Sequence, residues 1–382
     1  MTQVKFGVDQ LIEQDALPKI KRMALVCNHA SLTAHGIPTR LALLKHGFNL
    51  VKLFSPEHGL NAKGIDGTFQ KDGKDELTGL PVISLYGDRL APTGQDLFDV
   101  DYVLFDVPDI GCRFYTYLWT MTHVMEACTE FAKPLIILDR PNLIGGNLSL
   151  TEGPMLDEIC CASFIGRWNI PLRHSCTLGE LAKYFKAVKM PALQLEVIPA
   201  KNWDRIKNTG YIFTPTSPAI TGKTAALLYP GMGLLEGINV NEGRGTPSPF
   251  EICGAPWIDP YQLHETFSHA ANAGVVCEPV SYIPDAGLYA GEICTGLKFT
   301  VVDDTVFRPV QTGISLVRCI DQCAGSDLAE RLYCTLANPS GNSHLDKLLG
   351  VQHAFNLIKN GVAINTSVSQ QWIELINNFL LY

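Results

Sequence analysis

The chain lacks most of the short signatures that tie an enzyme to a cofactor. Its 382 residues hold no Gly-x-x-x-x-Gly-Lys-Ser/Thr, no Gly-x-Gly-x-x-Gly after the first strand, no His-Glu-x-x-His and no Gly-x-Ser-x-Gly. Phosphate-loop, dinucleotide, zinc-peptidase and elbow-serine chemistries are therefore disfavoured, and neither cofactor nor metal is expected. No apolar run reaches the ~18 residues that cross a bilayer. The formal net charge is −8, and the basic residues form no stripe, so no nucleic-acid partner is expected. The N-terminus, Met-Thr-Gln-Val-Lys-Phe-Gly, lacks the apolar core of a secretory signal. A cytoplasmic location is expected, with a periplasmic one as the alternative for a chain whose signal was trimmed. Twelve cysteines are spread from Cys27 to Cys334, several within apolar stretches such as Leu25-Val26-Cys27. That distribution suits reduced, buried thiols, and Cys160-Cys161 and Cys319-x-x-x-Cys323 have no partners at zinc-site spacing.

What is present is an alternation of strands and helices. Met23–Cys27, Leu50–Phe54, Val82–Leu85, Tyr102–Asp106 and Leu135–Asp139 are apolar runs of strand length. Pro38–Lys45 and Tyr117–Ala132 carry helical patterns between them. Strand, helix, strand, repeated, predicts an α/β fold with a parallel sheet covered on both faces. Thr177 with Glu180 forms a capping-box signature for a further helix. Gly- and Pro-rich segments follow at Tyr229–Gly233 and Asn241–Thr246, and the pattern changes after Trp257. A soft boundary is placed near 255, giving domains 1–255 and 256–382.

The strand ends carry the chemistry. In open parallel sheets ligands bind outside the carboxyl ends of the strands. Phe54-Ser-Pro-Glu-His-Gly59 stops a strand at a proline and opens a loop bearing Glu57 and His58, two side chains able to move protons. Asp106-Val-Pro-Asp-Ile-Gly-Cys-Arg-Phe-Tyr115 places Asp106, Asp109, Arg113 and Tyr115 at a second strand end. Asp139 and Arg140 stand at a third, where an ion pair that holds the loop is the plain alternative. Asn239-Val-Asn-Glu-Gly-Arg-Gly-Thr246 is a second concentration: its glycines would let the backbone approach a ligand, with Asn239, Glu242 and Arg244 beside it. Glu236 and Glu251 are expected behind them. A rim arginine suits an anionic group, and tryptophans are available to stack on a sugar. This inventory suits hydrolysis of a polar, anionic saccharide by carboxylate acid–base chemistry without a cofactor.

Nine ordered motifs, from Phe54–Gly59 through Gly79–Gly87, Asp106–Tyr117, Leu138–Gly146, Glu152-Gly-Pro154, Tyr229-Pro-Gly231, Glu242–Thr246 and Pro249-Phe-Glu251 to Gly254–Trp257, resemble the NamZ-type exo-β-N-acetylmuramidases over nearly the whole chain. The resemblance implies a Rossmann-like N-terminal domain, a smaller C-terminal α/β domain and an active-site cleft between them. It also implies release of N-acetylmuramic acid from the non-reducing end of peptidoglycan fragments. By motif match it points to Glu57, His58, Asp106, Asp109, Arg113, Tyr115, Asp139, Arg140, Glu242 and Arg244. The chain departs from the family pattern at Asp66-Gly67-Thr68, where Ala-Gly-Glu is usual, at Pro108, where Gln is common, and at Ser175-Cys176, where Gly-Met is common.

On this reading Glu57 is the general acid, with a pKa that burial would have to raise. Glu242, or an aspartate of the 106–109 loop, is the second carboxylate. Arg113 or Arg244 would take the substrate's carboxylate. Two other functions fit the same fold: a non-catalytic muropeptide- or sugar-binding protein, and a hydrolase of an amide or ester. Glu57, His58 and Glu242 together speak against the first, and the missing serine and metal motifs against the second.

Overall fold

The structure is a computed structural model that describes residues 3–61, 64, 67–324, 326–335 and 338–382. Asp66 lies outside them. Among the described residues the strands are β1 (Met23–Cys27), β2 (Leu50–Ser55), β3 (Gly73–Lys74), β4 (Pro81–Ser84), β5 (Tyr102–Asp106), β6 (Leu135–Leu138), β7 (Glu152–Met155), β8 (Pro171–Arg173), β9 (Leu195–Ile198), β10 (Ile252–Ala255), β11 (Val275–Tyr282) and β12 (Cys294–Val301). The helices are α1 (Gly7–Gln14), α2 (Thr39–Lys45), α3 (Gly94–Leu97), α4 (Tyr117–Glu130), α5 (Leu178–Lys189), α6 (Lys223–Met232), α7 (Pro260–His269), α8 (Pro309–Ala324), α9 (His344–Leu349), α10 (Ala354–Lys359) and α11 (Gln370–Asn377).

Seven strands form a sheet in the order β3-β4-β2-β1-β5-β6-β9. Every pairing is parallel except that of the two-residue edge strand β3 with β4. Its central strands are apolar throughout because both faces are covered. Alternate side chains divide between two cores: Ala24, Val26, Val103, Phe105 and Ile137 pack into one, and Leu25, Cys27, Leu104, Ile136 and Leu138 into the other. Thr177 and Glu180 form the capping box of α5 that their spacing predicts. Pro38 stands at the N-cap of α2, one position before the helix. All twelve cysteines are free thiols.

The second sheet is antiparallel, in the order β10-β12-β11. Its strand β10 ends at Ala255, and α6 packs against α8. The contact between these helices depends on glycine. A Cβ on Gly231 would stand 2.1 Å from the Pro309 carbonyl oxygen, and one on Gly313 would stand 2.4 Å from that of Gly231. The Tyr229-Pro-Gly motif is thus helical, with Pro230 inside α6, and it leads into the 3-10 turn Gly233–Gly237. Sequence pattern alone reads such a segment as loop, because proline removes a helical N–H.

Candidate functional site

At the carboxyl ends of β2, β4 and β5 the sheet meets the second half of the chain around a pocket of about 720 Å3, counting the solvent at its mouth. Glu57 and His58 enter from the loop after β2, Tyr86 from the turn after β4, and Phe114 and Tyr115 from the loop between β5 and α4. The opposite wall is built from Tyr229 of α6, Glu236 of the following 3-10 turn, Arg244, Tyr333, and His344 and Lys347 of α9. The local backbone explains the first wall. Pro56 ends the strand, and His58 takes a left-handed conformation at φ +67° before Gly59 at +73°. That turn sets Glu57 and His58 into the pocket, both buried.

Glu57 Oε1 accepts the Gly67 N–H at 2.8 Å, and the Tyr86 hydroxyl faces the same carboxyl. His58 Nδ1 lies 2.8 Å from the Gly64 carbonyl, so Nδ1 carries the proton. Burial holds the His58 pKa below its ordinary value, against the pull of Glu57. Glu236 is the second carboxyl of this pocket. Its Oε1 accepts from Arg244 Nη2 at 2.7 Å, and its Oε2 lies 3.6 Å from His344 Nε2. Burial first, and then the Glu57 charge, push Glu236 up to about 8, with Arg331 opposing. Burial also pulls His344 down to about 3. The imidazole is therefore neutral and stacks on Tyr333, with ring centroids 4.5 Å apart and planes at 14°. Among the described residues, the pocket combines a carboxyl pair, two imidazoles that burial keeps neutral, and the cations Arg244 and Lys347.

The other residues expected from sequence fall into two groups. Tyr115 lines the pocket, and its hydroxyl donates to Thr216 Oγ1 at 2.6 Å. Glu242 lines an adjoining hollow that shares Ala219, Arg244 and Tyr333 with the pocket. Its Oε1 lies 3.1 Å from Arg244 Nε, so Arg244 stands between Glu236 and Glu242. Burial, and then Glu236, push Glu242 up to about 7.

The remaining candidates do not line the pocket. Asp106 pairs with Arg140, whose Nη2 donates to Asp106 Oδ2 at 2.9 Å and whose guanidinium covers the Phe6 ring. The ion pair considered for Asp139 and Arg140 thus joins Arg140 to Asp106 instead. Asp139 accepts from Thr177 Oγ1, the Gly179 N–H and the Tyr382 hydroxyl, at 2.7, 2.8 and 2.7 Å, so it ties α5 and the C-terminus to the sheet. Asp109 accepts the Gly111 N–H at 2.7 Å and lies 3.4 Å from His174 Nε2. Arg113 is fully buried and donates to the carbonyls of Pro154, Ile170 and Leu348 at 2.7, 3.0 and 3.0 Å. The Asn239 amide holds the 327–329 backbone at both ends. The glycines around Arg244 serve the chain's own packing: a Cβ on Gly243 would meet the Ser248 carbonyl oxygen at 2.7 Å, and one on Gly245 that of Ala286 at 2.3 Å. Each of these groups is spent on backbone or a buried partner, which spacing along the chain does not reveal.

Glu236 as a lining residue, and Tyr333, His344 and Lys347 altogether, escaped the sequence reading. Glu236 looked peripheral because it sits in the stretch read as loop. His344 and Lys347 lie one helical turn apart on one face of α9, the only signal there.

A family model described as "Exo-beta-N-acetylmuramidase NamZ, N-terminal" matches residues 23–224, and its C-terminal counterpart matches 227–382. A Bacillus subtilis protein named peptidoglycan beta-N-acetylmuramidase NamZ is 35% identical over 392 residues, spanning 100% of this chain and 92% of that protein. Two crystal structures of DUF1343 family proteins from Bacteroides fragilis share the fold. One has a TM-score of 0.86 at 27% identity over 100% of both chains. The other has a TM-score of 0.72 at 26% identity, over 100% of this chain and 99% of that one.

Proposed function

The chain belongs to the NamZ family of exo-β-N-acetylmuramidases, and on that premise we propose that it removes N-acetylmuramic acid from the non-reducing end of peptidoglycan fragments. It is a glycosidase of the peptidoglycan β-N-acetylmuramidase kind. The observation that carries the mechanism is that Glu57 and Glu236 face one pocket from opposite halves of the chain. Two buried carboxyls that feel each other do not both ionise near neutrality. With Glu236 pushed up to about 8, Glu236 holds a proton near neutrality. A glycosidase needs a proton for the departing glycosidic oxygen and a second carboxyl toward the anomeric carbon or its attacking water, and Glu57 faces Glu236 across the pocket. The acid–base duty expected of Glu57 with Glu242, or with an aspartate of the 106–109 loop, is on this reading divided between Glu57 and Glu236. Glu242 acts one step back, by holding Arg244 against Glu236.

One wall of the pocket is formed by Tyr115, Phe114 and Tyr229, whose rings pack edge-on or tilted at 5.0–5.8 Å. Exo action is carried over from the family's description, and the aromatic wall offers a terminal sugar ring an apolar face. We propose that the enzyme works in the cytoplasm, with the periplasm as the alternative for a chain whose signal was trimmed. Turnover of a chromogenic β-muramide, with none of the matching acyl esters or amides, is the expected result. Binding without turnover would instead support a sugar-binding protein, and ester cleavage a different hydrolase.

A further inference from the structure

Among the described residues, four groups lining the pocket could carry positive charge: His58, Arg244, His344 and Lys347. Burial keeps both histidines neutral. Arg244 is engaged by two carboxyls, Glu236 and Glu242. Lys347 differs from all three. Its Nζ donates to two neutral oxygens, Asn338 Oδ1 at 2.7 Å and the Asn342 carbonyl at 3.0 Å. The neighbouring Asp346 carboxylate is turned away, accepting the His353 and Ala354 N–H groups at 2.9 and 2.8 Å. Among the described residues no carboxylate lies within ion-pair distance of Lys347. An ammonium has three N–H donors, and these two contacts use two of them; the cation is held in place by Asn338, with Asp346 near enough to act on it but no carboxylate paired to it among the described residues. One turn earlier on α9, His344 is buried, and neither ring nitrogen has a hydrogen-bond partner among the described residues. This corner of the pocket is therefore built to be completed by a polar, anionic group from outside.

N-acetylmuramic acid differs from N-acetylglucosamine by a lactyl ether that ends in a carboxylate. We propose that Lys347 receives this carboxylate and is the residue by which the pocket selects the muramic sugar, with His344 contributing a neutral hydrogen bond beside it. The assignment rests on the muramidase reading and adds to it the residue that reads the substrate's charge. It replaces Arg113 and Arg244, on which the rim's charge recognition would otherwise have been expected to fall. Arg113 is consumed by backbone carbonyls, and Arg244 is held between Glu236 and Glu242.

The test is a cycle in kcat/KM. Nitrophenyl β-N-acetylmuramide and its lactyl methyl ester are compared in the wild type, Lys347→Met and Lys347→Arg. The ester keeps the sugar's shape and removes its charge. A charge-assisted contact predicts that the wild type prefers the free acid by roughly ten- to a hundredfold, and that this ratio falls to about one in Lys347→Met. Lys347→Arg should retain part of it. A role for Lys347 in folding alone would lower both rates and leave their ratio unchanged, and that result would overturn the proposal. A wild-type preference that persists in Lys347→Met would overturn the Lys347 assignment and leave the muramidase reading standing. A wild type that hydrolyses neither muramide would overturn both. Titration calorimetry with free N-acetylmuramic acid repeats the comparison without turnover: Lys347→Met should weaken its binding by the same factor and leave that of N-acetylglucosamine unchanged.

Discussion

Arg113 Nη2 donates to the Leu348 carbonyl at 3.0 Å, across 235 positions of sequence. Its other terminal nitrogen holds the carbonyls of Pro154 and Ile170. The guanidinium thus fastens α9, which carries His344 and Lys347, to the loop behind the pocket's first wall. A Cβ on Gly350 would stand 2.6 Å from the Arg113 guanidinium, so the chain past α9 is shaped to admit it.

Arg113→Met should therefore act through the fold. Losing one charged partner for three buried carbonyls is expected to cost about 2–5 kcal/mol, read as a lower urea midpoint at unchanged slope. A variant of unchanged stability that had lost only its preference for the acidic sugar would return Arg113 to substrate binding.

Glu57→Gln and Glu236→Gln should each fold and bind substrate, and each should lose roughly a hundredfold to ten-thousandfold in kcat on an unactivated disaccharide. Glu242→Gln, acting through Arg244, should lose less. Circular dichroism and product binding establish that the variants are intact. Full activity in Glu236→Gln would break the pair.

The fold was legible because its signals are local. Apolar runs of strand length, the Thr177–Glu180 cap and polar strand ends all follow from neighbouring residues. Glu57, His58, Tyr115 and Arg244 were within reach for the same reason: strand ends and tight turns converge by geometry. What sequence could not separate was a strand-end carboxylate facing a ligand from one facing an arginine. Asp106 and Glu57 look alike in sequence, yet Asp106 meets Arg140 while Glu57 meets an open pocket. Glu236 was obscured by a proline that sits inside a helix, and Lys347 by a six-residue helix with no motif around it.

The alkaline limb of kcat/KM should fall near pH 8, as the carboxyl pair loses its retained proton. Glu57 is one cause of that high value, so removing its charge should lower the Glu236 pKa. In 13C-carboxyl titrations of Glu57→Gln the Glu236 midpoint should move to lower pH. A midpoint that stays or rises would show that the two groups do not interact.

Stability should depend on pH with the sign opposite to that of a salt-bridged acid. Glu236 and Glu242 sit at about 8 and about 7, above the ordinary 4.5, because burial favours their neutral forms. Each binds its proton more tightly when folded. Its stabilising contribution is full below the unfolded value and is lost as pH rises toward the folded one. The contribution of these two carboxyls to the unfolding free energy should decline from about pH 5 to about pH 8. The slope should flatten in the double variant Glu236→Gln/Glu242→Gln, and an equally steep slope there would contradict the account.

The most direct test is the product time course on a defined glycan whose non-reducing terminus is N-acetylmuramic acid, set beside the same glycan capped by N-acetylglucosamine. The wild type should release free N-acetylmuramic acid from the first, one residue at the outset, and nothing from the second. Glu57→Gln and Glu236→Gln should release almost none. Cleavage at interior bonds, or equal release from both glycans, would contradict a pocket that takes one acidic terminal sugar between Glu57 and Glu236.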